Sequence, residues 1–293
     1  MVTTLALRSW DAQATEADQA SAVAALEMGH VLYLPDLAFA MRDEERVFLS
    51  ARYADPSSKN VSFSPITDEL RGLGDASRPE ERARLAAMMA RYARVARCLF
   101  DCLLPRYEPF LETGRTSFRP AEIAGRAAPS YRKDDTRLHV DAFPSSPVRG
   151  KRILRMFSNV SPDGKEREWR VGEPFEAVAR RFVSRIRPPL RGSATLLRLL
   201  HVTRGRRAAY DHFMLGLHNR MKVDSAYQNG SPQTDVRFAP GSTWIVFTDQ
   251  VPHAALAGQH AFEQTFYLPV SAMAIPDQSP LRVLEKLTGC RLA

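Results

Sequence analysis

Two imidazoles and one carboxylate stand out for their chemistry. His139 and Asp141 flank Val140 in Thr-Arg-Leu-His-Val-Asp-Ala-Phe, and His253 follows 114 positions later, after Gly-Ser-Thr-Trp-Ile-Val-Phe-Thr-Asp-Gln-Val-Pro. Two nitrogen donors and one oxygen donor on one face of a metal make the facial triad of non-haem Fe(II) oxygenases, which leaves positions open for a co-substrate and dioxygen. Along a strand, residues i and i+2 project to the same side, so a strand over Arg137–Phe143 presents His139 and Asp141 together. The third ligand has to arrive from elsewhere. The apolar run Thr243–Phe247 reads as a strand, and Thr248–Pro252 as the turn that delivers His253. The remaining histidines, His30, His201, His212, His218 and His260, have no carboxylate two positions on, although His212 and His218 fall in a polar stretch suited to the mouth of a site.

An Fe(II) centre needs electrons to activate dioxygen. The usual donor is a 2-oxo acid such as 2-oxoglutarate, which chelates the metal through its 1-carboxylate and ketone and leaves its far carboxylate to be held by a cation or hydrogen-bond donors. In many such enzymes that cation is an arginine shortly after the distal histidine. Here Gln264 stands eleven positions after His253, and no Arg or Lys follows until Arg282. Arg155, on the strand after the His-x-Asp segment, is the alternative, with Thr136 three residues before His139; the pair is similar to the threonine and strand-borne cation of the JmjC-like branch. Asn159 and Gln264 are the nearby hydrogen-bond donors, and Arg152 and Arg137 compete with Arg155.

The elements that must position these groups follow from periodicity. Ala17–Met28 has helical spacing and stops at Gly29, and His30–Leu34 then reads as a strand. A longer helix over Glu80–Leu104 carries the apolar stripe Leu85, Met88, Met89, Tyr92, Val95, Leu99 and Leu103. Asp55–Pro79 is polar and broken by Pro and Gly, which predicts loop. From Pro129 onward short β-like runs appear at Arg137–Phe143, Arg152–Val160, Thr243–Phe247 and Thr265–Val270, with helical insertions such as Glu173–Arg185 and a closing helix at Pro280–Leu287. Helices followed by strands predict an α+β protein: one oxygenase domain over 1–293, in which a mainly helical 1–128 packs on a double-stranded β-helix (jelly-roll, cupin-like) core over 129–293 with insertions.

Composition is that of a globular protein, with 44% hydrophobic and 25% charged residues. No apolar run approaches the ~20 residues of a membrane span, and no signal-peptide pattern opens the chain. Three cysteines without framework spacing point to a reducing, cytoplasmic compartment. No phosphate loop, nucleophile elbow or zinc knuckle is present, and no nucleic-acid partner is expected. The net charge is +8, carried by 35 arginines and six lysines. Such a surface suits an anionic substrate or membrane, although a coding bias toward arginine and alanine would produce the same count.

The stretches Ser130–Pro144, Arg152–Pro162, Trp169–Glu176 and Asp249–Gln259, with Gln264-Thr-Phe, together resemble the Kdo 3-hydroxylase family over the whole second half and more loosely in the N-terminal helices. The resemblance implies an Fe(II)/2-oxoglutarate/O2-dependent hydroxylation of the Kdo sugar of the lipopolysaccharide inner core, giving Ko. It implies His139, Asp141 and His253 as metal ligands and an anionic Kdo-bearing glycolipid as substrate. Work at the cytoplasmic face of the inner membrane follows, with peripheral contact through a basic mouth for which Arg180, Arg181, Arg185 and Arg187 are candidates. Two other readings stay open: an oxygenase of the same superfamily acting on a peptide or small molecule, and a non-catalytic cupin-like protein binding a metal or sugar.

Overall fold

Strand alternation builds two facing sheets, and the helices cover one side of the larger. The computed structural model describes residues 1–293 except 12, 56, 57, 59, 75–77 and 191. In chain order the first part holds β1 (Val2–Thr4), α1 (Glu16–Glu27), β2 (Val31–Leu34), β3 (Val61–Ser64), β4 (Glu69–Arg71), α2 (Pro79–Leu103) and β5 (Glu112–Arg119). The middle holds β6 (Arg152–Asn159), β7 (Arg167–Gly172), α3 (Phe175–Phe182), α4 (Ser193–Leu199), α5 (Ala209–Val223) and α6 (Ser225–Gly230). The last part holds β8 (Gln233–Phe238), β9 (Thr243–Phe247), β10 (His253–Ala257), β11 (Ala261–Leu268) and α7 (Pro280–Thr288). The large sheet runs β1-β2-β9-β6-β11-β5-β3-β4 and the small one β10-β7-β8.

Local chemistry explains the helix limits. Thr15 and Asp18 exchange side-chain and backbone hydrogen bonds across the first turn of α1, satisfying amides that a helix start leaves orphaned. The chain leaves α1 through Gly29 at φ 78. Pro79 opens α2 where its missing N–H costs nothing, and Leu85, Met88, Met89, Tyr92, Leu99 and Leu103 are buried along one stripe. That stripe lies on the outer face of the large sheet, where Tyr92 packs on Phe262 and donates to the Ser158 hydroxyl. On the inner face Phe157, Trp169, Phe238 and Trp244 fill the space between the sheets.

Register decides which side of the large sheet each residue serves. In β6, Arg155 and Phe157 stand opposite Val246 and Trp244 of β9 and opposite Thr265 and Glu263 of β11. These residues face the small sheet. Arg152, Met156 and Ser158 face the helices.

Several expectations shift. Arg137–Phe143 is not a strand: its ladder is one bridge, His139 opposite His253. Asp55–Pro79 is not wholly loop, because β3 and β4 form a hairpin on the sheet edge; positions 56, 57, 59 and 75–77 of that segment lie outside the described residues. Residues 1–128 also do more than lay helices on a core, since they supply five strands of the large sheet.

Candidate metal centre

His139 and His253 are tied by reciprocal backbone hydrogen bonds, His139 N–H to the His253 carbonyl at 3.0 Å and His253 N–H to the His139 carbonyl at 2.9 Å. The Asp141 N–H donates to the Thr248 carbonyl at 2.8 Å. A single bridge therefore holds the segment that a full strand was expected to hold, and side chains on both sides are fixed by backbone contacts. The imidazole rings lie 4.7 Å apart between centroids. One ligand atom from each of His139, Asp141 and His253 falls within 4.8 Å of the others, close enough to close on a single ion.

The donor chemistry fits a divalent transition metal. His139 Nδ1 lies 2.7 Å from the Arg137 carbonyl and His253 Nδ1 2.9 Å from the Val251 carbonyl. A carbonyl can only accept, so each Nδ1 carries the proton and each Nε2 lone pair is left for a metal. Burial depresses the pKa of both imidazoles, His139 further by the charge of His253, which keeps them in the neutral, ligating form. Burial alone would raise the Asp141 carboxyl. The Arg155 guanidinium, 3.0 Å away, with His253 and His139, instead holds it well below the usual carboxylate range.

The triad opens on a cleft lined by charges of both signs. Arg119 from β5, Arg155 from β6 and Arg167 from β7 all line it, against Asp135, Asp141 and Glu263. Glu263 pairs with Arg119 at 2.6 Å and with Arg155 at 3.3 Å. These two guanidiniums pull its carboxyl down against the upward push of burial. Arg167 donates to the Gly258 carbonyl at 2.7 Å; burial, then the charge of Arg119, brings its pKa down to about 9. Gly258 can approach because it sits at φ 103, where a Cβ would lie 2.7 Å from the Glu166 carbonyl oxygen. The Nε atoms of Arg119, Arg155 and Arg167 and the indole nitrogen of Trp169 are buried without an acceptor among the described residues. Unmet donors of this kind are costly unless a ligand's oxygens meet them. Asp135 is also paired with Arg126 at 3.5 Å, so a bound divalent metal would add positive charge that an anionic co-substrate could neutralise.

A wider cavity of about 400 Å3 lies against His30, Glu173 and Gln250 and is lined by none of His139, Asp141 and His253. The chemistry belongs to the smaller cleft.

The other expected site residues divide. Arg155 reaches the cleft but spends one arm on the Asp141 carboxylate. Thr136 does not reach it: it is exposed, and its hydroxyl donates to Asp134 at 2.6 Å in a local turn. Asn159 lies at the far end of β6, where its amide donates to the Lys165 and Phe238 carbonyls. Gln264 points to the opposite face of the sheet, where its oxygen accepts from Thr116 at 2.5 Å. Each is corrected to a structural role. Arg152 forms a core ion pair with Asp249, and Arg137 reaches Asp134 and the Lys222 carbonyl. Nothing in the sequence singles out Arg119 or Arg167: each stands at the end of a strand that carries a second arginine, Arg115 or Arg170, and only sheet register reveals that both face the cleft. Trp169 stacks on His253 at 5.1 Å, and His218 of α5 meets His139 edge-on at 5.3 Å. Burial and the nearby Lys222 charge lower His218 to about 4.

Residues 9–291 match the family described as 3-deoxy-D-manno-oct-2-ulosonic acid (Kdo) hydroxylase. The chain is similar to the crystal structure of the Kdo hydroxylase KdoO, a non-haem Fe(II) α-ketoglutarate-dependent dioxygenase, in complex with α-ketoglutarate and Fe(III). Identity is 45%, the TM-score is 0.95, and the match covers 100% of this chain and 97% of that one. The cobalt(II) complex of KdoO matches at 45% identity and TM-score 0.96, covering 99% and 97% of the two chains. The complex with succinate and Fe(III) matches at 45% and 0.95 with the same coverage. No curated protein matches the chain. The two-sheet core is thus the jelly roll of 2-oxoglutarate oxygenases, with flanking helices.

Proposed function

The chain belongs to the Kdo hydroxylase family, and from that premise we propose that it uses Fe(II), 2-oxoglutarate and dioxygen to hydroxylate C3 of the Kdo sugar in an anionic inner-core glycolipid, giving Ko, succinate and CO2. What carries the reading is convergence: the triad with its Nε2 atoms free and three buried guanidiniums with unmet donors share one cleft. His139, Asp141 and His253 would hold the metal, which when bound supplies the coupling of 2-oxo acid oxidation to dioxygen activation.

The chain's own residues do the rest. Arg155 keeps Asp141 ionised and aimed. Arg119 and Arg167, with the free Nε of Arg155 and the indole N–H of Trp169, would receive the far carboxylate of 2-oxoglutarate through charge-assisted hydrogen bonds. Glu263 spaces Arg119 from Arg155 and limits their repulsion. His218, neutral at pH 7, packs edge-on against His139. Because Arg119 of β5 and the following Ile123 complete a cleft otherwise built by residues 135–263, the chain works as a single oxygenase unit. A glycolipid substrate places this work at an anionic membrane surface, at the cytoplasmic face where Fe(II) and 2-oxoglutarate are available. No helix among the described residues is long and apolar enough to cross a membrane.

Anaerobic addition of Fe(II) and 2-oxoglutarate should develop the visible charge-transfer band of the chelate, and aerobic turnover should add one oxygen to the Kdo sugar of a Kdo-lipid. Loss of a partner behind a metal ligand already costs 10–100-fold, so His253→Ala should lose both signals by more than about a hundredfold. A band with no mass gain on the sugar would return the substrate to the wider superfamily. A full band in His253→Ala would sink the metal assignment.

A further inference from the structure

Around α4 the usual polarity of a surface helix is reversed. Leu196, Leu199 and Leu200 recur at i, i+3 and i+4, the spacing of a core-facing stripe, yet each is more than half exposed, as are the flanking Leu190 and Val202. The segment is anchored beneath: Val202 N–H donates to the Leu197 carbonyl, and buried Thr203 bonds the Gly205 carbonyl. The leucines are thus presented by a fixed backbone. An exposed aliphatic cluster of this kind marks a contact surface.

Charge says what the contact is. Between Glu176 and Asp211 the sequence holds nine arginines, at 180, 181, 185, 187, 191, 198, 204, 206 and 207, and no Asp or Glu. Three of these, Arg180, Arg181 and Arg185, pair with Glu176, Glu173 and Asp224; Arg198, Arg204, Arg206 and Arg207, interleaved in sequence with the aliphatic tips, match an anionic bilayer, where guanidiniums meet lipid phosphates and leucines enter the acyl boundary. A nucleic acid would use the arginines and leave the leucines in water. The apolar surface continues into a groove of about 410 Å3 lined by Val183, Ile186, Phe213 and Leu287.

The patch is also joined to the metal centre. Arg204 N–H donates to the Ser145 carbonyl at 2.8 Å, and Arg207 donates to the Pro144 carbonyl. Ser145 is four residues after Asp141, which limits the Cα separation to about 14 Å. A second route runs through an open groove shared by Arg207, His212, Arg220 and Asn219, and Asn219 adjoins His218 beside His139.

We propose that the exposed leucines of 190–202, with the surrounding arginines, form the surface by which this protein docks on an anionic phospholipid bilayer, so that a lipid-borne sugar is presented to the cleft. This rests on the glycolipid reading above and adds which face meets the membrane. Sedimentation of the full chain with phosphatidylcholine vesicles, with and without phosphatidylglycerol, tests it without turnover. The unaltered protein should partition onto the anionic vesicles, weakly onto neutral ones, and less as salt rises. The triple variant Leu196→Ser, Leu199→Ser, Leu200→Ser should bind roughly tenfold or more weakly, while keeping the Fe(II)/2-oxoglutarate absorption band, which shows that it is folded. Arg204→Glu with Arg206→Glu should also weaken binding. Equal partition of the triple variant and the unaltered protein overturns the proposal, as does equal binding to neutral and anionic vesicles. So does loss of binding only in the arginine variant, which would indicate a general polyanion surface. Leucine-dependent partition by a protein that adds no oxygen to Kdo-lipid would uphold the docking surface and sink the substrate reading alone.

Discussion

Arg152 and Arg155 lie three residues apart on one strand, both buried and both paired with a carboxylate, yet they do opposite work. Arg152 faces the helices. It donates from Nε to Asp249 at 2.8 Å and from Nη2 to Gln250 at 2.6 Å, approaches the Met273 sulfur with Nη1, and lies over the Phe247 ring at 3.9 Å. Arg155 faces the cleft, with its Nε unmet and its nearest carboxylate belonging to the metal triad. A buried charge whose donors are all answered is architecture. One whose donors are partly unanswered, beside ligating atoms, awaits a ligand. Sequence ranked the two as competitors, and sheet parity separates them.

The comparison can be broken from either side. Removing the sealed partner should have the largest effect: Arg152→Ala leaves Asp249 buried alone and should cost about 3–5 kcal/mol of stability, read from denaturant midpoints, with the 2-oxoglutarate requirement of the folded protein unchanged. A loss under about 1 kcal/mol would mean that water reaches Asp249 and the pair is not sealed.

At the cleft the order reverses. Arg155→Ala should raise the 2-oxoglutarate requirement roughly tenfold to several hundredfold, with a smaller change in stability, and Arg167→Ala should raise it within the same range. Steady-state titration of 2-oxoglutarate decides this. An unchanged requirement in both variants would leave Arg119 as the anchor.

A weaker effect is set by pH. His218 is held at about 4 in the fold against 6.5 unfolded. The unfolded chain therefore takes up the proton first, and stability is lost as pH falls from 6.5 toward 4, by at most about 1.4 kcal/mol per pH unit for this group, with no contribution above that window. His218→Gln should flatten that part of the acid limb. An identical limb in the variant would show that His218 is solvated. Smallest of all, Thr136→Ala should leave the 2-oxoglutarate requirement within about twofold, since its lost hydrogen bond is an exposed one within a local turn; a larger rise would return Thr136 to the site.

Much of the molecule is written locally. Helical period and end signals determined α1, α2 and α7 to within a residue or so, and the apolar run Thr243–Phe247 is β9 at both ends. That His139, Asp141 and His253 converge was legible because their types are chemically distinctive and their placement needs only one turn and one return path. The faces of the sheet were not legible. Gln264 and Glu263 are neighbours in sequence, yet one bonds Thr116 under the helices and the other pairs with Arg119 in the cleft. Side chains alternate with period two, so a site residue is identified only once its strand's register is known. For Gln264 that register is decided by Met156 and Thr116, both more than a hundred positions away. For the same reason the basic count could suggest an anionic partner, while only the folded chain decides that three arginines meet at one cleft and that the leucines of α4 face outward.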